Sequence, residues 1–413
     1  MSQTRRAIAG GILLVGVATM LANAASYLLS MFAARLMSVP EYGALGAMLS
    51  VSIIGGTAAL GIQAVAARRI ASSGAGADEE RAAVVSLGLR LTALIAVVGL
   101  AVSWPLAVLF DVPFAAVALT VLSVAASVMG FGALGLVQGN ERHGHYGYAY
   151  AAIGCLRAAG GIVALFIHPD VTSACAGILI GSIAGTVAAV VIAGPSRPRL
   201  RLTPRLAREF AATTGSLVAL YALSNVDLLL ARIFLDGTGS GEYALGSLVA
   251  KIAFFLPYAV ITVFFPKMSA GTMRHAFALA TGLSAAIGAV ATVGAAVLAG
   301  PLVWLIGGDK YAEFASLAWL FALEGSLFAV VQVILYAGFS SQARALGILT
   351  GCALVCQVVV VSLWAHQSVS AIVVCTSVIA AALVVVGIAV ELRRTKGRAS
   401  GAETPGLVET PRG

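Results

Sequence analysis

Runs of about twenty apolar residues, repeated along almost the whole chain, leave few folds open. A helix needs about 20 such residues to cross a bilayer core. Twelve runs of that kind are centred near Met20, Ile54, Val97, Ala125, Leu156, Ile183, Tyr221, Phe254, Gly288, Gly325, Leu354 and Ile379. In lipid every backbone donor and acceptor must be paired within the protein, so each run reads as a helix. The expectation is an all-α polytopic membrane protein with twelve transmembrane helices. Composition agrees: 60% of the 413 residues are hydrophobic, 10% are charged, and the mean hydropathy is +1.00. A soluble domain carries roughly a quarter charged residues.

The net charge of +8 does not call for a nucleic-acid partner. All but six of the 25 Lys and Arg fall near the N-terminus, in segments 68–81, 140–147, 196–209, 266–275, 340–345 and 392–398, or at Arg412. The intervening connections, SVPEYG, DVPF, HPD, DGTGSGE, GGDKYAE and AHQS, are short and together carry seven acids, with Lys310 as their one Lys or Arg. The positive-inside rule then places both termini in the cytoplasm and the chain in the cell membrane. The N-terminal apolar run continues to Ala34, which reads as a retained first helix rather than a cleaved signal. Five cysteines lie in apolar stretches and give no disulfide framework. Cys352 and Cys356 share a helix face, but no third ligand stands near them in sequence, so no metal is expected.

The basic stretch GPSRPRLRLTPRLAREF divides the chain into six and six spans. The expected organisation is a first lobe over 1–194, a cytoplasmic linker over 195–210, a second lobe over 211–392 and a disordered tail over 393–413. Thr203 and Pro204 suit an N-cap and first helical position, so the linker is read as a short basic helix or a solvated loop. An echo crosses this division. AARLMSVPEYGALG follows the first span and ARIFLDGTGSGEYALG follows the seventh, each with an arginine and then Glu-Tyr and Ala-Leu-Gly. Two parallel six-helix repeats are a transporter architecture. No phosphate-binding loop for ATP is present, and no outer connection is long enough for a catalytic domain. A non-enzyme with no cofactor is expected, driven by a gradient or by its substrate.

With twelve spans, the Arg35, Glu41, Tyr42 and Gly43 pattern after the first, and NVDLLLARIF in the seventh, the chain resembles the polysaccharide flippases of the multidrug/oligosaccharidyl-lipid/polysaccharide exporter superfamily. The resemblance implies two lobes around a central cavity that moves a polyprenyl-diphosphate-linked oligosaccharide by alternating access. It also implies work beside a polysaccharide polymerase or glycosyltransferases. Asn225 and Asp227 match the seventh-span motif. The lipid II flippases differ in having fourteen spans.

Ionisable residues inside spans are costly and tend to face a cavity or a partner. A diphosphate needs cations at the depth it crosses, so Arg90, Arg157 and Lys251 are the candidate contacts, with Arg35 and Arg232 at the exit and Asn23 offering hydrogen bonds. Gln63, Gln332 and Gln357 add candidate sugar contacts. Salt bridging or snorkelling is the alternative for each cation. Asp227 and Glu324, with Asn225, admit two readings: sites for a coupling H⁺ or Na⁺, or structural partners of Lys251 and Arg157. A cation-coupled drug or amphiphile exporter, and a non-transporting membrane scaffold, remain open as rival functions.

Overall fold

The computed structural model describes residues 2–73, 77–196, 198, 204–257, 273–340 and 344–401. Among these, every regular element is helical. The first half holds α1 (Ser2–Leu36), α2 (Val39–Gly55), α3 (Thr57–Ser72), α4 (Ala77–Leu109), α5 (Phe114–Gly139), α6 (His143–Ile167) and α7 (Val171–Ala193). The second half holds α8 (Pro204–Leu223), α9 (Val226–Phe234), α10 (Gly237–Phe255), α11 (Met273–Val297), α12 (Ala299–Gly307), a 3₁₀ turn (Asp309–Leu317), α13 (Ala318–Ser340), α14 (Arg344–Leu363) and α15 (Val369–Gly401).

All twelve expected centres fall within helices, but not all are full spans. Among the described residues nine helices have the length and apolarity to cross a membrane, or ten if the bent pair α8 and α9 counts as one. The other two centres lie in α10 and α14. Glu242 and Lys251 dilute the apolarity of α10, which ends at Phe255 with a turn at Leu256 and Pro257. In α14 the apolar stretch is only Gly347–Leu363. The linker also differs from expectation. From Pro204 onward the chain is not a separate surface helix: α8 runs unbroken to Leu223, and Leu206 is buried with Ile62, Val65 and Leu87 of the first half. Thr203 lies outside the described residues. At the other end α15 continues to Gly401, so residues 393–401 of the expected tail are helical, as added residues extend an existing helix more easily than they nucleate one. Positions 402–413 lie outside the described residues.

Local chemistry sets the helix starts. Ser38 caps α2 by accepting from Glu41 N at 3.4 Å, with Pro40 and Glu41 in the first turn. Asp170 caps α7 through Ser173 N at 2.9 Å, and Asp236 caps α10 through Gly239 N at 2.8 Å. Between α8 and α9 the seventh span bends by 47°. There the Asn225 amide donates to Tyr221 O at 3.0 Å, occupying a carbonyl that the broken ladder would leave open.

The first-half helices pack on one another, α1 on α6, α6 on α7 and α5 on both α4 and α7; in the second half α13 packs on α10, α11 and α15. Gly177, Gly181 and Gly185 of α7 form the stripe that lets α6 approach: a Cβ on Gly181 would stand 2.1 Å from Leu156 O. The halves join unequally at the two ends. At the end where α1 meets α2, one buried cluster crosses both halves, with Met37, Leu45 and Met48 beside Leu228, Leu245 and Phe321. Towards the other end the clusters are smaller: one lies around Leu223, Phe277 and Ile334, another around Leu134, Ala149 and Ala189, and a third joins Leu206 of α8 to Ile62 and Leu87.

Candidate functional site

Two cavities adjoin between the halves. The first, about 220 Å³, carries Asn23, Ser26, Ser123, Ser127, Tyr150 and Arg157. The second, about 80 Å³, carries Ser224, Asn225, Asp227, Ser247, Lys251 and Glu324. Ile53 and Tyr221 line both. The structure therefore brings six of the nine expected site residues to one place and divides them by chemistry.

Arg157 projects from α6, whose backbone is held against the α7 glycine stripe: a Cβ on Gly181 would also meet Arg157 Cα at 2.8 Å. Among the described residues its guanidinium makes no hydrogen bond or ion pair. A cation enclosed by protein without a counter-ion is penalised unless something polar or anionic fills the space before it. The surrounding hydroxyls and the Asn23 amide provide donors and acceptors of the kind that anionic and hydroxyl-rich ligands use.

The second cavity is built on the bend. Asp227 sits in the first turn of α9, 4% exposed, and Tyr243 of α10 donates to its Oδ2 at 2.9 Å. Asp227 Oδ1 and both carboxylate oxygens of Glu324, which is 2% exposed, have no hydrogen-bond partner among the described residues. Lys251 lies in the field of both carboxylates. Its own backbone carbonyl accepts from Tyr27 OH of α1 at 3.2 Å, which ties the first half to this helix. Two carboxylates facing one ammonium leave a negative charge to be balanced by a proton or another cation.

Three expected contacts lie elsewhere. Arg90 is exposed on the face of α4 that also carries Leu94 and Val97, one and two turns on, so helical phase turns it away from the cavities. It is not brought together with Arg157 and Lys251. Arg35 and Arg232 lie at the end of the molecule where the halves share a core. Arg35 donates through Nη2 to Trp304 O and Leu305 O, both at 2.9 Å, and its guanidinium carbon lies 5.4 Å from the Trp304 ring centre. Arg232 donates to Phe110 O at 2.7 Å and Asp111 O at 2.6 Å. In this state their donors are taken by backbone carbonyls. The glutamines line neither cavity: Gln63 donates to Gln138 Oε1 at 2.9 Å, Gln357 to Thr376 Oγ1 at 3.2 Å, and Gln332 is buried in α13. The cavity hydroxyls of Ser26, Ser123, Ser127, Tyr150 and Tyr221 escaped the sequence reading. The spacing of Ser123 and Ser127, one helical turn, is the signal that marks a polar face on an apolar span.

No protein-family model matches the sequence, and no curated protein matches it. Solved structures do match. Lipid II flippase MurJ in an inward closed conformation aligns with a TM-score of 0.78 at 13% identity, over 91% of this chain and 87% of that one. The fold is that of MurJ and the MATE transporters. An inward-facing MATE family transporter of the MOP superfamily gives 0.73 at 15% identity, over 96% of this chain and 100% of the other. An outward-facing one gives 0.63 at 14%, over 95% and 97%. With that fold, the paired cavities occupy the space between two bundles of a polytopic membrane protein.

Proposed function

We propose that this chain is a flippase that moves a polyprenyl-diphosphate-linked oligosaccharide across the cytoplasmic membrane by alternating access, for cell-surface polysaccharide assembly. The observation that carries this reading is the unpaired Arg157 in a hydroxyl-lined cavity between the halves. Arginine presents a planar fork of donors that matches phosphate oxygens. The lipid II flippase MurJ shares the fold. At about 220 Å³ the cavity takes a headgroup anion but not an attached glycan, so the loaded state requires the halves to part. The distribution of Lys and Arg supports cytoplasmic termini, and with them the Arg35 and Arg232 end would be the outer one. A polymerase or glycosyltransferases would then consume the product outside or supply the substrate inside.

Asp227, Glu324 and Lys251 carry the coupling part of the proposal. Their imbalance of charge invites one H⁺ or Na⁺, and Lys251 would hold the site while no ion is bound. The same cluster favours a second reading, a cation-coupled exporter of amphiphiles.

The test is translocation of a labelled lipid-linked oligosaccharide by the purified chain in proteoliposomes, with and without a proton or sodium gradient. Arg157→Ala is expected to slow movement by more than about tenfold, with Arg157→Lys in between. Wild-type rates in Arg157→Ala would remove the headgroup assignment. Gradient-driven movement of a cationic dye but no glycan would favour the exporter, and movement of neither would favour a scaffold. Asp227→Asn and Glu324→Gln are expected to abolish any dependence on the gradient while leaving headgroup binding in place.

A further inference from the structure

The arginines outside the cavity are arranged with a symmetry the cavity lacks. Arg35 ends the first span and reaches the end of the ninth, where α12 closes at Gly308 with φ 80°. Arg232 ends the seventh span and reaches the end of the third, where α4 closes at Asp111 with φ 46°. Each half thus sends an arginine from its first span to the carbonyls closing the third span of the other half. Such carbonyls lie at the negative end of the helix dipole, where partners within the helix run out, although Trp304 O also accepts from Gly308 N at 3.0 Å. A third cation completes the set: Lys310 of the second half donates to the carbonyls of Arg35 and Met37, which end α1.

Beneath these bonds α2 and α10 cross with their backbones in contact. A Cβ on Gly43 would stand 2.7 Å from Gly241 N, one on Gly241 would stand 2.1 Å from Val39 O, and one on Gly46 would stand 2.8 Å from Ala244 Cβ. Gly43 and Gly241 hold the same place in their helices, counted from the caps Ser38 and Asp236, and so do Gly46 and Ala244. Equivalent positions meeting one another is what a pseudo-two-fold axis through the seam requires.

We infer that Arg35 and Arg232 form a reciprocal latch, each gripping the helix end of the opposite half, that holds the outer mouth shut over a glycine seam. Opening towards the outside must break both grips at once, because the two halves separate as bodies about the axis that relates them. The closer superposition on the inward-facing than on the outward-facing MATE structure agrees with a chain held in the latched state.

The inference rests on the proposed orientation and on alternating access, and the test separates these. A cysteine is placed in the cavity at Ser127 in the full chain with its own cysteines replaced, and an impermeant charged thiol reagent is applied to either face of sealed vesicles. Arg35→Ala with Arg232→Ala is expected to raise labelling from the outer face by roughly tenfold or more, and the corresponding Lys pair by less. Gly46→Leu, a wedge in the seam that leaves both arginines intact, shows what an open mouth looks like in the same assay. If the wedge raises outer labelling and the folded arginine variants do not, packing alone closes the mouth and the latch is overturned. Should the alanine pair fail to fold, unchanged labelling in the lysine pair overturns it equally. A rise confined to the opposite face would support the latch and overturn the orientation.

Discussion

Arg157 and Asp227 are both charged residues within apolar spans, yet their surroundings ask different things of them. Arg157 faces hydroxyls and open volume, whereas Asp227 is enclosed and accepts from the side chain of Tyr243. Removing that donor by Tyr243→Phe leaves a buried carboxylate oxygen unpaired, which costs about 1–3 kcal/mol. The variant is expected to unfold at a lower temperature in detergent, and Tyr243→Phe combined with Asp227→Asn to recover part of the loss. Side-chain type made these residues visible as candidates in the sequence, but which way each faced was not. Arg90 shows why: depth along a span follows from counting, while facing depends on rotation about the helix axis, and the apolar positions of α4 surround Arg90 too evenly to reveal it. The hydrogen-bond partners of Arg35 and Arg232 were hidden for another reason, since backbone carbonyls carry no signature in a sequence; the Asp111 carboxylate, 3.8 Å from Arg232, is the exception.

Helix ends in this molecule are shaped by short side chains, and one of them is exposed to pH. Burial alone would raise the Asp170 carboxyl, but hydrogen bonds from Ser173 N, Ser173 Oγ and the His168 ring hold it below its usual 3.8. A depressed carboxylate stabilises the folded state above its unfolded value, and that contribution is lost as pH falls through the folded value. The cap of α7 is therefore expected to weaken only below about pH 4. Asp170→Asn, which can still cap, should match the wild type near neutrality and show a shallower loss of melting temperature on acidification. The bend at Asn225 makes a second prediction: Asn225→Ala removes the amide from Tyr221 O and is expected to cost about 1–2 kcal/mol, read by thermal unfolding. The apolar runs announced most helices, because length and hydropathy are properties of a segment. The echo was less faithful. Glu41 is the third residue of α2 but Glu242 is the sixth of α10, so the two Glu-Tyr pairs stand one turn apart and do different work. Glu41 accepts from Val171 N at 2.8 Å, and Tyr243 serves Asp227. Helix starts, set by Ser38 and Asp236, fix the true register.

As a whole the molecule is tied at both ends by unlike means. At the end opposite the arginine latch, Arg69 of α3 bonds Glu80 of α4 at 2.9 Å and Glu209 of α8 at 3.0 Å, joining the halves through charge on both sides. A double-mutant cycle on Arg69 and Glu209 should return a coupling of about 0.5–1 kcal/mol that shrinks in high salt, measured from unfolding temperatures. The large shared apolar cluster at the latch end and the smaller clusters at the other are properties of three-dimensional arrangement that no single span encodes. The choice of acceptor at the latch has a genetic consequence. Every amino acid, proline included, supplies a backbone carbonyl, so no substitution at Phe110, Asp111, Trp304 or Leu305 can delete the oxygen that an arginine grips. Side-chain changes at those four positions can alter only the longer contacts, Asp111 Oδ2 at 3.8 Å from Arg232 and the Trp304 ring 5.4 Å from Arg35. A suppressor screen begun from Arg35→Ala should instead return changes that tighten the seam between α2 and α10.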